Sequence, residues 1–139
     1  MIKKSVLRVE HLSKNYGKRV VLRDISMFAN QGESVGLLGP NGAGKTTTFY
    51  MVVGLIKPYS GKVFLDEQDI SMQPMYKRAQ MGIGYLAQEE SVFRQMSVED
   101  NIFSVMQFKP GMTKQTQHEK LESLLDEFCL QHVRKSKGI

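Results

Sequence analysis

The feature that most constrains this chain is a glycine-rich segment at residues 39–46, which reads GPNGAGKT. It fits the phosphate-binding pattern, in which a buried strand ends in a glycine-rich loop and a helix follows. The apolar run at residues 34–38 predicts that strand, and residues 46–54 predict the helix. Glycine lets the backbone approach a phosphate closely, and the loop N–H groups and the helix N-terminus then favour an anion at one place.

The pattern assigns a role to each residue type in the loop. Lys45 is expected to reach the β- and γ-phosphates of a nucleoside triphosphate, and the Thr46 hydroxyl to ligate its magnesium ion. The alternative is a chance glycine-rich turn beside a lysine, which the flanking strand and helix patterns argue against. The other expected nucleotide-binding residues are Gly39, Pro40, Asn41, Gly42, Ala43, Gly44 and Thr47.

Composition is typical of a soluble globular protein, with 41% hydrophobic and 24% charged residues among 139. The net charge of +5 is moderate, and its basic clusters are not interleaved with aromatic residues. A solvated face or an anionic membrane surface therefore explains the charge better than nucleic-acid binding does. The single cysteine, Cys129, excludes an internal disulfide and favours a reducing compartment. Without a run long enough to span a membrane, we expect a cytoplasmic protein that reaches the membrane through a partner.

Hydrophobic periodicity predicts strands early in the chain and helices late. Expected strands cover residues 6–12, 20–28, 62–66 and 83–86, and expected helices cover residues 74–80 and 98–108. Ser97 and Asp100 form a partial capping box for the second of these helices. A last helix is predicted to start near Thr116 with Glu119 in its capping box, and its apolar stripe is Leu121, Leu124, Leu125 and Phe128. This order indicates a mixed core followed by a helical subdomain.

Two more residues complete a family pattern. Tyr16 lies upstream of the glycine-rich loop, and Gln88 lies downstream at the end of a predicted strand. Read alone, they are a core tyrosine and a surface glutamine. In order with the loop, they make the whole chain resemble the ATP-binding subunits of ATP-binding cassette transporters. The resemblance implies that Tyr16 stacks on adenine, and that Gln88 contacts magnesium and the attacking water and transmits the nucleotide state to a membrane subunit.

The resemblance also implies the fold. It is an α/β P-loop NTPase fold, with a RecA-like core and an antiparallel β subdomain over residues 1–92. Residues 93–139 would begin the helical subdomain, and the C-terminal half of the domain would be absent. In the family, ATP and Mg²⁺ are the cofactors, two subunits form a homodimer around two ATP molecules, and permease subunits in the inner membrane are the partners. No nucleic acid partner is implied.

Residues 39–54 and 82–101 further resemble the ATPases of lipopolysaccharide export systems. Phe93 and Arg94 follow Gln88, where the family builds the groove for the transporter's coupling helix, although Phe93 could instead lie in the core of the helical subdomain. Ala87 departs from the family, which usually has proline before the glutamine. Two alternative functions stay open. One is the ATPase of a branched-chain amino-acid importer, and the other is a nucleotide-binding docking module without turnover.

The remaining catalytic parts of the family pattern are expected beyond Ile139. They are the Leu-Ser-Gly-Gly signature, the Walker B aspartate, the catalytic glutamate and the switch histidine. The family hydrolyses ATP to drive transport, and Lys45 and Gln88 are the catalytic residues present in this sequence by resemblance. We therefore expect residues 1–139 to bind Mg–ATP and to show little or no ATPase activity alone.

Overall fold

An antiparallel sheet organises the first part of the chain. The computed structural model describes residues 5–109 and 111–138, and the chain divides into two compact units, Met1–Leu86 and Ala87–Ile139. In the described part of the first unit, four strands have the spatial order β2-β1-β3-β4. They are β1 (Val6–Tyr16), β2 (Arg19–Asn30), β3 (Ser60–Leu65) and β4 (Gln68–Asp69). The strand predictions at residues 6–12, 20–28 and 62–66, and the antiparallel β subdomain, are confirmed.

Two helices complete the first unit as far as it is described. Helix α1 (Lys45–Val53) follows the glycine-rich loop, as predicted, and α2 (Met75–Gln80) matches the prediction at residues 74–80. Apolar side chains of α1 and of the sheet share one buried cluster, because alternate strand residues point to the same face of a sheet. The buried members of this cluster are Val9, Leu12, Leu22, Met51, Val52, Val63 and Ile70.

Two predicted strands, one before the glycine-rich loop and one before Gln88, are not formed. Residues 34–38 and 83–86 have no regular secondary structure, and no strand among the described residues pairs with them. Leu38 is 92% exposed and Leu86 is 93% exposed. The two predictions were wrong because an apolar sequence shows only that burial of the segment is energetically favourable. A strand also needs a neighbour whose backbone completes its hydrogen bonds.

The second unit is helical. Helices α3 (Val98–Met106) and α4 (Lys114–Glu127) enclose a small core of Met106, Leu121 and Leu125, and a short 3₁₀ helix follows at Gln131–Val133. The predicted cap of α3 is confirmed, since the Ser97 hydroxyl accepts a hydrogen bond from the Asp100 backbone N–H at 3.1 Å.

The start of α4 differs from the prediction. The capping residue is Thr113, whose hydroxyl accepts from the Thr116 N–H at 3.2 Å, and Glu119 instead accepts from the Gln115 side chain. Lys and Gln are good helix formers, so the helix extends back to the first threonine able to cap it. Phe128 follows the last helical residue and is 62% exposed, so it is not part of the buried stripe.

The end of the chain is held against the start of α3. Arg134 forms ion pairs with Glu99 at 3.0 Å and with Glu122 at 2.9 Å. The Val98 N–H donates to the Ser136 carbonyl and the Glu99 N–H donates to the Arg134 carbonyl. These two N–H groups belong to the first turn of α3, which has no intrahelical acceptors for them. Residues 134–136 therefore complete the helix start.

Candidate nucleotide-binding site

The glycine-rich loop folds around the ammonium group of Lys45. Lys45 Nζ donates to the Gly39 carbonyl at 2.5 Å and to the Pro40 carbonyl at 2.8 Å. The Ala43 N–H donates to the Pro40 carbonyl at 3.2 Å, which closes the turn. The side chain of the first helical residue therefore reaches back across its own loop and holds a positive charge there.

The N-terminus of α1 faces the same loop. Its first hydrogen bond joins the Thr48 N–H to the Gly44 carbonyl at 2.8 Å, so the N–H groups of Lys45, Thr46 and Thr47 precede the helical hydrogen-bond ladder. The first turn contains no acidic residue. Such a helix start favours an anion, both through these N–H groups and through the helix dipole.

Strand β2 supports the loop at Gly44. This residue has φ +89°, and a Cβ built on it would lie 2.8 Å from Leu22 Cδ1 and 3.2 Å from the Val21 carbonyl oxygen. Both the backbone conformation and the close approach require glycine. The position of the loop thus depends on the sheet being formed.

Tyr16 ends β1 at the same end of the sheet. Lys14 pairs with Leu22 across the β1–β2 ladder, so Tyr16 lies only two residues, roughly 7 Å of strand, beyond the contact that supports the loop. Its side chain is 53% exposed and is not in the core. Lys14 Nζ lies 5.2 Å from the ring centroid and donates to the Lys57 carbonyl at 2.6 Å. The ring therefore lies beside a lysine held by its own hydrogen bond, and it remains exposed.

Gln88, Phe93 and Arg94 belong to the second unit, and all three are exposed. Asn101 fixes the backbone of Phe93 from both sides: its Oδ1 accepts from the Phe93 N–H at 2.7 Å, and its Nδ2 donates to the Phe93 carbonyl at 3.0 Å. The Phe93 side chain remains 61% exposed, which excludes the core alternative for this residue.

Sequence reasoning missed one residue of the first unit, Arg78 on α2. Its side chain is only 1% exposed, and it donates to backbone carbonyls at the C-terminal end of α1. Burial lowers the pKa of the guanidinium, and the Asp69 carboxylate opposes that shift. An arginine is ordinarily charged at neutral pH. A lone arginine in a short polar helix carries no sequence signal for such a role.

Two further findings concern the described part of the chain, residues 5–109 and 111–138. It contains no group of three or more His, Cys, Asp or Glu residues that could hold a metal ion. None of its helices is long and apolar enough to cross a membrane.

Comparison with known proteins places this geometry in a family context. The profile of the ABC transporter family matches residues 22–138. A lipopolysaccharide export system ATP-binding protein, LptB, from Haemophilus influenzae is 50% identical over 134 residues, which are 96% of this chain and 56% of that protein. A probable ABC transporter ATP-binding protein from Azorhizobium caulinodans is 54% identical over 128 residues, covering 92% of this chain and 45% of that protein.

Solved structures agree in fold. The structure of cbiO1 from Clostridium perfringens, described as part of the ABC transporter complex cbiONQ, has a TM-score of 0.79 at 26% identity. That match covers 97% of this chain and 55% of the other. The chain spans about half the length of the curated relatives it matches.

Proposed function

Because this chain belongs to the ABC transporter family of ATP-binding proteins, we propose that its glycine-rich loop binds Mg–ATP within a transport ATPase. The observation that carries the proposal is the position of the Lys45 ammonium across the loop, beside the N-terminus of α1. Loop amides and Lys45 hold the phosphates, Thr46 ligates magnesium, and Tyr16 stacks on the base. When bound, magnesium neutralises charge on the phosphates.

The transported substrate is proposed to be lipopolysaccharide. Support comes from relatives named for lipopolysaccharide export, including the proteins from Haemophilus influenzae at 50% identity and from Escherichia coli K12 at 46% identity. Those names favour export over the import of branched-chain amino acids. Permease subunits choose the cargo in this type of transporter, so the proposal concerns the whole assembly.

ATP hydrolysis is the activity of the family. We assign to residues 1–139 the nucleotide-binding part of that activity, with Lys45 and Gln88 as the catalytic residues they contribute. Phosphoryl transfer also needs an oriented water and neutralisation of charge around the reacting phosphate. In the family, a second subunit of a homodimer and residues later in sequence than 139 supply those groups.

Substitution of Tyr16 tests the proposed nucleotide site through base stacking. Replacing Tyr16 by alanine should weaken Mg–ATP binding roughly 5- to 150-fold, because loss of aromatic stacking costs about 1–3 kcal/mol per base. Tyr16→Phe keeps the ring and should bind like the wild type. Magnesium tripolyphosphate, which has no base, should bind all three proteins equally in calorimetric titrations. Equal weakening for ATP and tripolyphosphate would contradict the assignment of Tyr16 to the base.

Phe93 and Arg94 are proposed to form part of the contact with a permease subunit, which would hold the protein at the inner membrane. Support comes from the exposed Phe93 ring on a backbone that Asn101 fixes. In the complete protein produced with its permease, Phe93→Ala should weaken association about 30-fold or more, since truncating an aromatic anchor costs ~2 kcal/mol or more. Phe108→Ala, at another exposed aromatic of the second unit, is the control. Co-purification that both variants leave unchanged would reject this contact.

A further inference from the structure

We propose that Arg78 is a positioning residue for the phosphate site, acting from the far end of α1. This inference rests on the proposed nucleotide-binding function. Arg78 is on α2, yet its Nη1 donates to the carbonyls of Met51 at 2.8 Å and Val52 at 2.6 Å, both in the last turn of α1. Those carbonyls are among the groups that a helix end leaves without intrahelical partners.

The other donors of the same guanidinium hold the chain between the sheet and α2. Nη2 donates to the Ser71 carbonyl at 2.8 Å and Nε donates to the Gln73 carbonyl at 2.8 Å. Among the described residues no carboxylate accepts a hydrogen bond from Arg78, and the oxygen Oδ1 of Asp69 is bonded to Ser71 instead. The guanidinium is therefore hydrogen-bonded to backbone carbonyls among these residues. Two of those carbonyls lie at the negative end of the α1 dipole, which stabilises a positive charge.

Close packing around the Arg78 guanidinium also explains why residue 54 is a glycine. Gly54 ends α1 with φ +86°, and a Cβ built on it would lie 2.8 Å from Arg78 Nε and 3.1 Å from the Gln73 carbonyl oxygen. Glycine at this position is therefore what allows the guanidinium to reach the helix end. The basic group comes from another element, since the last turn of α1 contains no basic residue of its own.

The consequence for the phosphate site follows from the length of α1. The helix has nine residues, so its two ends are only about 14 Å apart at 1.5 Å per residue. Its N-terminal turn carries Lys45 and the N–H groups that face the loop. A cation fixed at one end keeps this short helix intact and correctly placed, so that the N–H groups at the other end are preorganised for phosphate.

The test compares nucleotide affinity with stability in the 139-residue chain. Calorimetric titration with Mg–ATP and with magnesium tripolyphosphate would be run on the wild type, Arg78→Lys and Arg78→Met, well below each melting temperature. Gly32→Ala is the matched control, because it strains the turn after β2 in the same unit, and a Cβ there would have nothing within 4 Å. We expect Arg78→Met to weaken the binding of both ligands about 10-fold, a size within the range known for a charge at a helix end.

Arg78→Lys retains the charge but not the set of donors, so its affinity should lie between those of the wild type and Arg78→Met. If Arg78→Met does not fold, Gly54→Ala replaces it, since the added Cβ displaces the guanidinium without removing its charge. Wild-type affinity in the Arg78 variants or in Gly54→Ala, or an equal loss in Gly32→Ala, would overturn the inference while the nucleotide site stands. A folded wild-type chain that binds neither ligand would overturn the proposed function, and this inference with it.

Discussion

Replacing Lys45 by alanine should reduce Mg–ATP affinity by about 100-fold or more, because each hydrogen bond from a charged group contributes ~1.5–3 kcal/mol. Among the described residues, the Lys45 ammonium is bonded only to the carbonyls of Gly39 and Pro40, which belong to the exposed loop. Removing it leaves those carbonyls open to water, so the melting temperature should change little. Calorimetric titration and thermal unfolding would be measured on the same protein.

Lys77→Ala is the control for the Lys45 variant. It removes the same charge from the same unit, at an exposed position on α2. It should bind Mg–ATP like the wild type, and equal losses in the two variants would mean that general charge, not the loop, attracts the nucleotide. The same proteins test turnover: phosphate release by the wild type that Lys45→Ala abolishes would contradict the proposal that residues 1–139 bind ATP without hydrolysing it.

Replacing Gly61 by alanine should have the largest effect on folding. Gly61 has φ +90°, and a Cβ built on it would lie 2.3 Å from the His11 carbonyl oxygen and 2.5 Å from that of Glu10. These atoms are backbone of β1, next to an irregularity in its pairing with β3, so they cannot move without breaking the ladder. Left-handed strain of about 1–2 kcal/mol and overpacking of about 1–3 kcal/mol together approach the total stability of a small domain.

Chemical denaturation would measure this loss, with Gly32→Ala as the matched variant. Gly32 also has a positive φ, +82°, but a Cβ there would have nothing within 4 Å. The stability of Gly32→Ala should therefore fall only by the left-handed backbone strain, about 1–2 kcal/mol. Equal losses of unfolding free energy in the two variants would contradict the claim that Gly61 is needed for the close approach of β3 to β1. Nucleotide binding should fall with the sheet in Gly61→Ala, because β1 carries Tyr16 and β2 supports Gly44.

Much of the first unit could be predicted from the sequence because its signals are local. Alternating residues predict β1, and the glycines and the following helix predict the phosphate loop. Ser97 likewise indicates the start of α3, since a cap depends on a few neighbouring residues. These features need no information about distant parts of the chain.

The rest depends on partners that a local pattern does not specify. Residues 34–38 and 83–86 are apolar enough for buried strands, but no strand of the described residues pairs with either of them. Arg78 is the opposite case: a charged residue in a polar helix is buried because backbone carbonyls from distant positions converge on it. Thr113 replaced Thr116 as the cap of α4 because two adjacent good helix formers extended the helix.

The central claim is that this chain forms a phosphate site for ATP. Titration calorimetry of the purified 139-residue chain with Mg–ATP tests it most directly, with circular dichroism to establish that the protein is folded. The account predicts saturable binding at one site per chain. A folded chain that gives no binding heat, and that also does not bind a fluorescent ATP analogue, would contradict it.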